Sequence, residues 1–201
     1  MSSGTPILIV MALEAEAQDL FRARGADVLF VGLGKVNAAY RLTRRLAEER
    51  ARGVTPLVVN LGTAGSRHFK TGSVVACRRF VQRDMDVSGL GFPLGHTPFE
   101  NEVPAELEFP EVFPNLPHAT CGTGDRFEAH SEALLWDVID MEAYALAKVC
   151  FYEGVQFGCA KFITDGADGS AGSDWQANLP VAAREFVKLY EALLARQATR
   201  R

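Results

Sequence analysis

Five short apolar runs rich in β-branched residues, at 7–11, 28–31, 57–59, 74–76 and 157–163, are separated by stretches with helical spacing. Runs this short without polar alternation suit strands buried on both faces, because a strand with one wet face reads apolar, polar, apolar. Between them, residues 36–52 carry Val36, Ala39, Tyr40, Leu46 and Ala47 on one face with Arg and Glu opposite, and Gly53 supplies the stop. Residues 182–194 repeat the pattern with Ala182, Phe186, Leu189 and Leu193. Alternating strands and helices predict an α/β fold, a three-layer αβα arrangement around a central mixed, largely parallel sheet. The chain has 201 residues, 48% hydrophobic and 23% charged, enough for one domain with a full core spanning 1–201. Residues 88–117, rich in Gly, Pro and Phe, read as irregular and as the place for a mobile or partner-facing loop.

The charge pattern excludes whole classes of partner. A net charge of −4, with the one basic cluster RLTRRLAEERAR matched by acids, leaves no footprint for nucleic acid. The N-terminal apolar stretch, about six or seven residues without a basic flank, is too short for a signal or membrane segment, so a cytoplasmic protein is expected. Cys77, Cys121, Cys150 and Cys159 show no C-x-x-C spacing and the four His residues are scattered, which argues for reduced thiols and against zinc.

In parallel sheets, chemistry gathers where strands end and helices begin, so the polar residues just after the apolar runs matter most. The stretch VMALEAEAQDL carries Glu14 and Glu16 at a helix start; Glu14 reads as a solvated first-turn acid. VGLGKVNAA carries Gly32 and Gly34 without the spacing of a P-loop or a dinucleotide fingerprint, hence a tight strand-to-helix turn. In VVNLGTAGS, Gly62-Thr63-Ala64-Gly65 follows the strand ending near Asn60, and small residues there let backbone N–H groups and a hydroxyl approach a ligand. CGTGDRF offers a Gly-rich turn before Phe127, and IDMEAYALAKVC places Asp140 and Glu142 ahead of an apolar helix. KFITDGADGSAGSDW ends a strand with three aspartates, and a calcium loop is excluded because counting from Asp165 puts Ala167 and Gly169 where oxygen ligands belong.

In order and character these stretches resemble the nucleoside phosphorylase and nucleosidase superfamily, and within it the 5′-methylthioadenosine/S-adenosylhomocysteine nucleosidases. The family's A-M-E-x-E, G-x-G-K-V-x-A-A, T-G-[ST]-A-G, S-G-D-x-F, D-M-E-[AG] and [ST]-D motifs read here as ALEAE (12–16), GLGKVNAA (32–39), LGTAG (61–65), TGDRF (123–127), DMEA (140–143) and TD (164–165). The resemblance implies hydrolysis of a purine nucleoside N-glycosidic bond by water, without metal or other cofactor, in a homodimer. It gives Asp165 the role of acid at purine N7 and Glu16 that of the group orienting and deprotonating water, a two-carboxylate division of labour. A carboxyl can serve as the acid near neutral pH when burial raises its pKa.

By the same resemblance Glu142 accepts the ribose 2′ and 3′ hydroxyls, Met141 packs on the sugar, and Phe127 stacks on the purine with backbone groups of Phe127 and Glu128 near its edge. Thr63 keeps a hydroxyl where relatives often have Ser, and Leu13 joins the substrate-binding set. Lys161 replaces an Arg common in bacterial relatives. Trp175 stands where the family usually has a Phe over the 5′ substituent, on a short helix that Ser173 and Asp174 cap. The loop equivalent to 84–92 completes the partner's pocket in relatives, and the segment 91–119 is shorter than usual, with no obvious helix. A phosphorylase needs an anion site where this chain carries Leu13-Glu14-Ala15-Glu16, and a carboxylate repels phosphate. A futalosine-type nucleosidase, an adenosylhopane phosphorylase and a non-catalytic nucleoside sensor are the alternatives; the last needs no pair of catalytic acids.

Overall fold

The computed structural model describes residues 4–127, 135–166 and 171–199. The strands are β1 (Ile7–Met11), β2 (Val28–Phe30), β3 (Leu57–Gly65), β4 (Val74–Gln82), β5 (Glu106–Glu108), β6 (His118–Thr123), β7 (Val138–Asp140) and β8 (Phe157–Asp165). The helices are α1 (Glu14–Ala17), α2 (Lys35–Ala51), α3 (Ala143–Glu153) and α4 (Ala171–Thr199).

One mixed sheet runs in the order β2-β1-β3-β7-β6-β4-β5, and β8 pairs with both β3 and β4, so that β3, β7, β6, β4 and β8 close on themselves. Pairing is parallel for β1–β2, β1–β3, β3–β8, β4–β6 and β6–β7, and antiparallel for β3–β7, β4–β5 and β4–β8. Alternation along each strand feeds two cores. Leu8, Val10 and Val58 pack with α2 and α3, whereas Ile9, Met11 and Val59 pack with Phe21 and with Phe186 of α4. Helices therefore cover both faces, which is why every residue of β8 is buried and why its sequence shows no polar alternation.

Four details depart from the reading of the sequence. Strand β3 runs on through Gly62–Gly65, which had the look of a turn. On α2 the buried positions are Ala38, Leu42, Leu46 and Glu49, at near-helical intervals, while Val36 and Tyr40 are 79% and 61% exposed. Helix α4 begins at Ala171, before Pro180, so Ser173 and Asp174 lie inside its first turn and cap no separate helix. The segment 88–117 is packed in places: Val103 and Leu107 enter one core and Phe113 the other, and β5 pairs with β4. As expected, 91–119 contains no helix, the four cysteines are free and buried, and helix α2 stops just before Gly53, at φ +70°. Among the described residues no helix is long and apolar enough to cross a membrane.

Candidate active site

The strand ends of β1, β3, β7 and β8 meet in a cavity of about 300 Å³, lined by residues of β3, β7 and β8, by Ala12 and Leu13 just past β1, and by the start of α4. Leu13, Glu16, Thr63, Phe127, Met141, Glu142, Asp165 and Trp175 all line it. Glu128 and Asp168 lie outside the described residues, and Glu14 is exposed on the far side of α1.

Glu16 is 3% exposed and tightly held. Its Oε1 accepts the Thr63 backbone N–H at 2.8 Å and the Thr63 hydroxyl at 2.9 Å, and its Oε2 accepts the Leu13 N–H at 3.2 Å. Thr63 reaches it because β3 stays extended through small residues. A Cβ on Gly62 would stand 3.2 Å from Lys161 Nζ and 3.5 Å from Glu16 Oε1, so any larger residue there would press on the lysine head.

Asp165 closes β8 and is 4% exposed. The neighbouring Thr164 hydroxyl donates to its Oδ2 at 2.7 Å. Asn178, one turn beyond Trp175, donates to the Thr164 carbonyl at 3.0 Å and thereby ties α4 to the strand end that carries Asp165.

Glu142 sits at the start of α3 and accepts the Gly34 N–H at 2.8 Å, across 108 residues of sequence. Gly34 has φ +88°, and a Cβ there would meet Asp125 Oδ1 at 3.1 Å, so glycine is required on both counts. The next N–H, of Lys35, goes to Asp125 Oδ1 at 2.8 Å. Two carboxyl groups from distant elements thus satisfy orphan donors of the α2 N-terminus. Lys35 Nζ also pairs with Asp84, whose Oδ2 accepts the Asp125 N–H, so residue 84 is fastened within its own chain.

Burial, then the neighbouring charge of Asp140, pushes the Glu142 carboxyl up to about 8. Lys161 and the Gly34 N–H pull the other way. Asp140 is the polar hub beneath the site. Its Oδ2 accepts Lys161 Nζ at 2.7 Å and the Ala143 N–H at 2.8 Å, and its Oδ1 accepts the Thr123 hydroxyl. Burial works against charge at both members of this pair, yet each holds the other ionised: the Lys161 ammonium keeps Asp140 below the ordinary carboxylate range, and Asp140 keeps Lys161 well above that of a free lysine.

The sequence reading singled out neither Asp140 as a hub nor Asn60, Arg83 and Arg126 as lining residues. A polar residue in the middle of a fully buried strand, Lys161 in FGCAKFITD, was the available signal, since a buried ammonium needs a carboxylate partner. Among the described residues no cluster of His, Cys, Asp and Glu is suited to a metal ion.

Residues 23–195 match the family profile described as Phosphorylase superfamily. The 5′-methylthioadenosine/S-adenosylhomocysteine nucleosidase of Actinobacillus succinogenes is 30% identical over 187 residues, covering 82% of this chain and 78% of that one. The protein of the same name from an Exiguobacterium species is 28% identical over 84% of this chain and 79% of its own length. Among solved structures, a Helicobacter pylori 5′-methylthioadenosine/S-adenosylhomocysteine nucleosidase superposes with TM-score 0.83 at 22% identity, covering 97% of this chain and all of that one. A futalosine hydrolase of Helicobacter pylori superposes with TM-score 0.82, also at 22% identity, covering 96% and 98%. With the profile spanning most of its length and its fold shared by these structures, the chain belongs to the phosphorylase superfamily.

Proposed function

We propose that this protein is a purine nucleosidase, hydrolysing the N-glycosidic bond of 5′-methylthioadenosine, S-adenosylhomocysteine or both to release adenine. The names of its 28–30% identical relatives support the substrate class. The observation that carries the choice of water over phosphate is the pairing of Thr63 with Glu16. The backbone N–H and the hydroxyl of Thr63 are the donors that would cradle an anion at this strand end, and Glu16 Oε1 takes both. A fixed carboxylate there repels phosphate and suits a water molecule.

In this reading Glu16 takes a proton from water as the water oxygen bonds to C1′. The C1′–N9 bond breaks, its electron pair leaves with the base, and Asp165 delivers its proton to N7. Glu142 receives the ribose hydroxyls on its carboxyl oxygens, with Met141 against the sugar and Phe127 over the purine. Glu128 belongs to the same proposed set, at the purine edge, and Leu13 and Trp175 bound the remainder of the pocket.

The continuous sheet with helices on both faces supports reading 1–201 as one domain. The four buried free thiols suit a reducing compartment and support a cytoplasmic location. A homodimer is proposed from the exposed apolar residues beside the cavity: Leu33 lines it, and Val36 and Tyr40 follow outward along α2.

The test is a chromatographic panel of purine nucleosides, futalosine included, each incubated with and without phosphate. Free adenine from methylthioadenosine or adenosylhomocysteine in phosphate-free buffer is expected. Strict phosphate dependence would overturn the hydrolase reading, and turnover of futalosine alone would move the substrate within the superfamily.

A further inference from the structure

Trp175 does more than bound the cavity. Its indole Nε1 lies 2.9 Å from the Thr63 hydroxyl oxygen, which lies 2.9 Å from Glu16 Oε1. An indole N–H can only donate, so the Thr63 oxygen accepts from it. A hydroxyl has one proton, and an ionised carboxylate can only accept, so that proton is aimed at Glu16. The direction of the whole chain is thereby fixed: indole N–H to hydroxyl, hydroxyl to carboxylate.

Resting on the reading of Glu16 as the water-activating base, we propose that Trp175 is a positioning residue for that base, acting through the Thr63 hydroxyl. The geometry assigns the two oxygens of Glu16 different tasks. Oε1 is occupied by both Thr63 donors, whereas among the described residues Oε2 holds only the 3.2 Å contact from Leu13 N–H, so Oε2 is the oxygen that receives the proton of water. The first turns of α4 then serve both carboxylates at once, Glu16 through Trp175 and the strand end before Asp165 through Asn178. A Phe in place of Trp175 keeps an aromatic wall and removes only the donor.

The experiment compares wild type, Trp175→Phe, Thr63→Ala and the double variant, with circular dichroism and melting temperature as the check on folding. Loss of one such hydrogen bond should lower kcat about three- to tenfold in Trp175→Phe with KM changed less than about twofold. Thr63→Ala should lower kcat further, and the double variant should be no slower than Thr63→Ala alone, because the indole acts only through the hydroxyl. An unchanged kcat with a raised KM would make Trp175 a wall of the pocket and nothing more; additive losses would detach it from Thr63. An activity-free readout runs beside these. In ¹⁵N-labelled protein the Trp175 indole N–H, told from Trp136 by its loss in Trp175→Phe, should be protected from exchange and should shift in both Thr63→Val and Glu16→Gln. An unprotected resonance indifferent to both overturns the chain even if the wild type proves inactive on every nucleoside, a result that would count separately against the hydrolase.

Discussion

Asp165 and Glu142 are both buried carboxyls on one cavity, yet they are set up for opposite work. Asp165 ends an apolar strand with a hydroxyl on Oδ2 and is assigned the proton that purine N7 receives. Asp165→Asn keeps the shape and removes that proton, so kcat should fall by at least about a hundredfold while binding of a non-hydrolysable nucleoside analogue by calorimetry persists. Near-native turnover in that variant would take Asp165 out of the acid role. Glu142 has a cost attached. Its carboxyl ionises near 8 in the folded chain because it is buried beside Asp140, and at an ordinary carboxylate value when unfolded. Between roughly pH 4.5 and 8 the unfolded chain has lost this proton and the folded chain has kept it, so the group's contribution to stability falls as pH rises and levels off above 8. The full effect is at most about 5 kcal/mol, from about 1.4 kcal/mol per pKa unit. Glu142→Gln should therefore melt higher than wild type at pH 9 and by a smaller margin at pH 5, while losing affinity for the ribose. A stability difference between the two that does not grow with pH would contradict the raised value.

At the scale of elements, α4 and β8 depend on each other beside Asp165 and Glu16. Asn178 bonds the Thr164 carbonyl at 3.0 Å and the Asp174 carbonyl at 2.9 Å, so it fastens the helix both to itself and to the strand. Asn178→Ala should cost about 1 kcal/mol in urea unfolding and speed amide exchange in the first turns of α4 relative to its middle, where Ala182 and Phe186 are fully buried. Uniformly unchanged exchange would show that the tie is idle. The elements differ in how plainly the sequence announces them. β1 and β8 are apolar runs buried on both faces, and their periodicity is enough. The end of β3 is hidden because Gly62, Thr63, Ala64 and Gly65 have turn-like composition; they are in a strand because each pairs with a residue of β8. Helix α4 is longer than the 182–194 stretch legible in the sequence: it runs through Pro180, whose missing N–H leaves a carbonyl of the preceding turn that an exposed position opens to water. In the site, position marks the strand-end stretches and the family resemblance picks out their residues, but Asp140 with Lys161, Gly34 with Glu142 and Trp175 with Thr63 join residues 21, 108 and 112 apart, and no local pattern links them.

Over the whole molecule, the same misread face of α2 bears on assembly. An amphipathic reading that counts Val36 and Tyr40 as core is defeated by the helix's actual seat, which presents Ala38, Leu42 and Leu46 to the sheet. That leaves Val36 and Tyr40 exposed next to Leu33 on the cavity rim, with Leu90 at 75% and Phe99 at 87% exposed elsewhere on the surface. Exposed apolar residues that adjoin a ligand cavity are costly to a monomer and useful to a dimer whose partner finishes the pocket. Sedimentation velocity at micromolar concentration should therefore give twice the mass of the chain. Val36→Glu together with Tyr40→Glu should convert it to monomer, since a charge buried without a partner at an interface costs several kcal/mol. Because Leu33 precedes Val36 by less than one turn, the monomer should also show a raised KM with its fold intact by circular dichroism. A wild type that sediments as a monomer, or a double variant that remains a dimer with unchanged kinetics, would place any interface away from this face and leave the cavity complete within one chain.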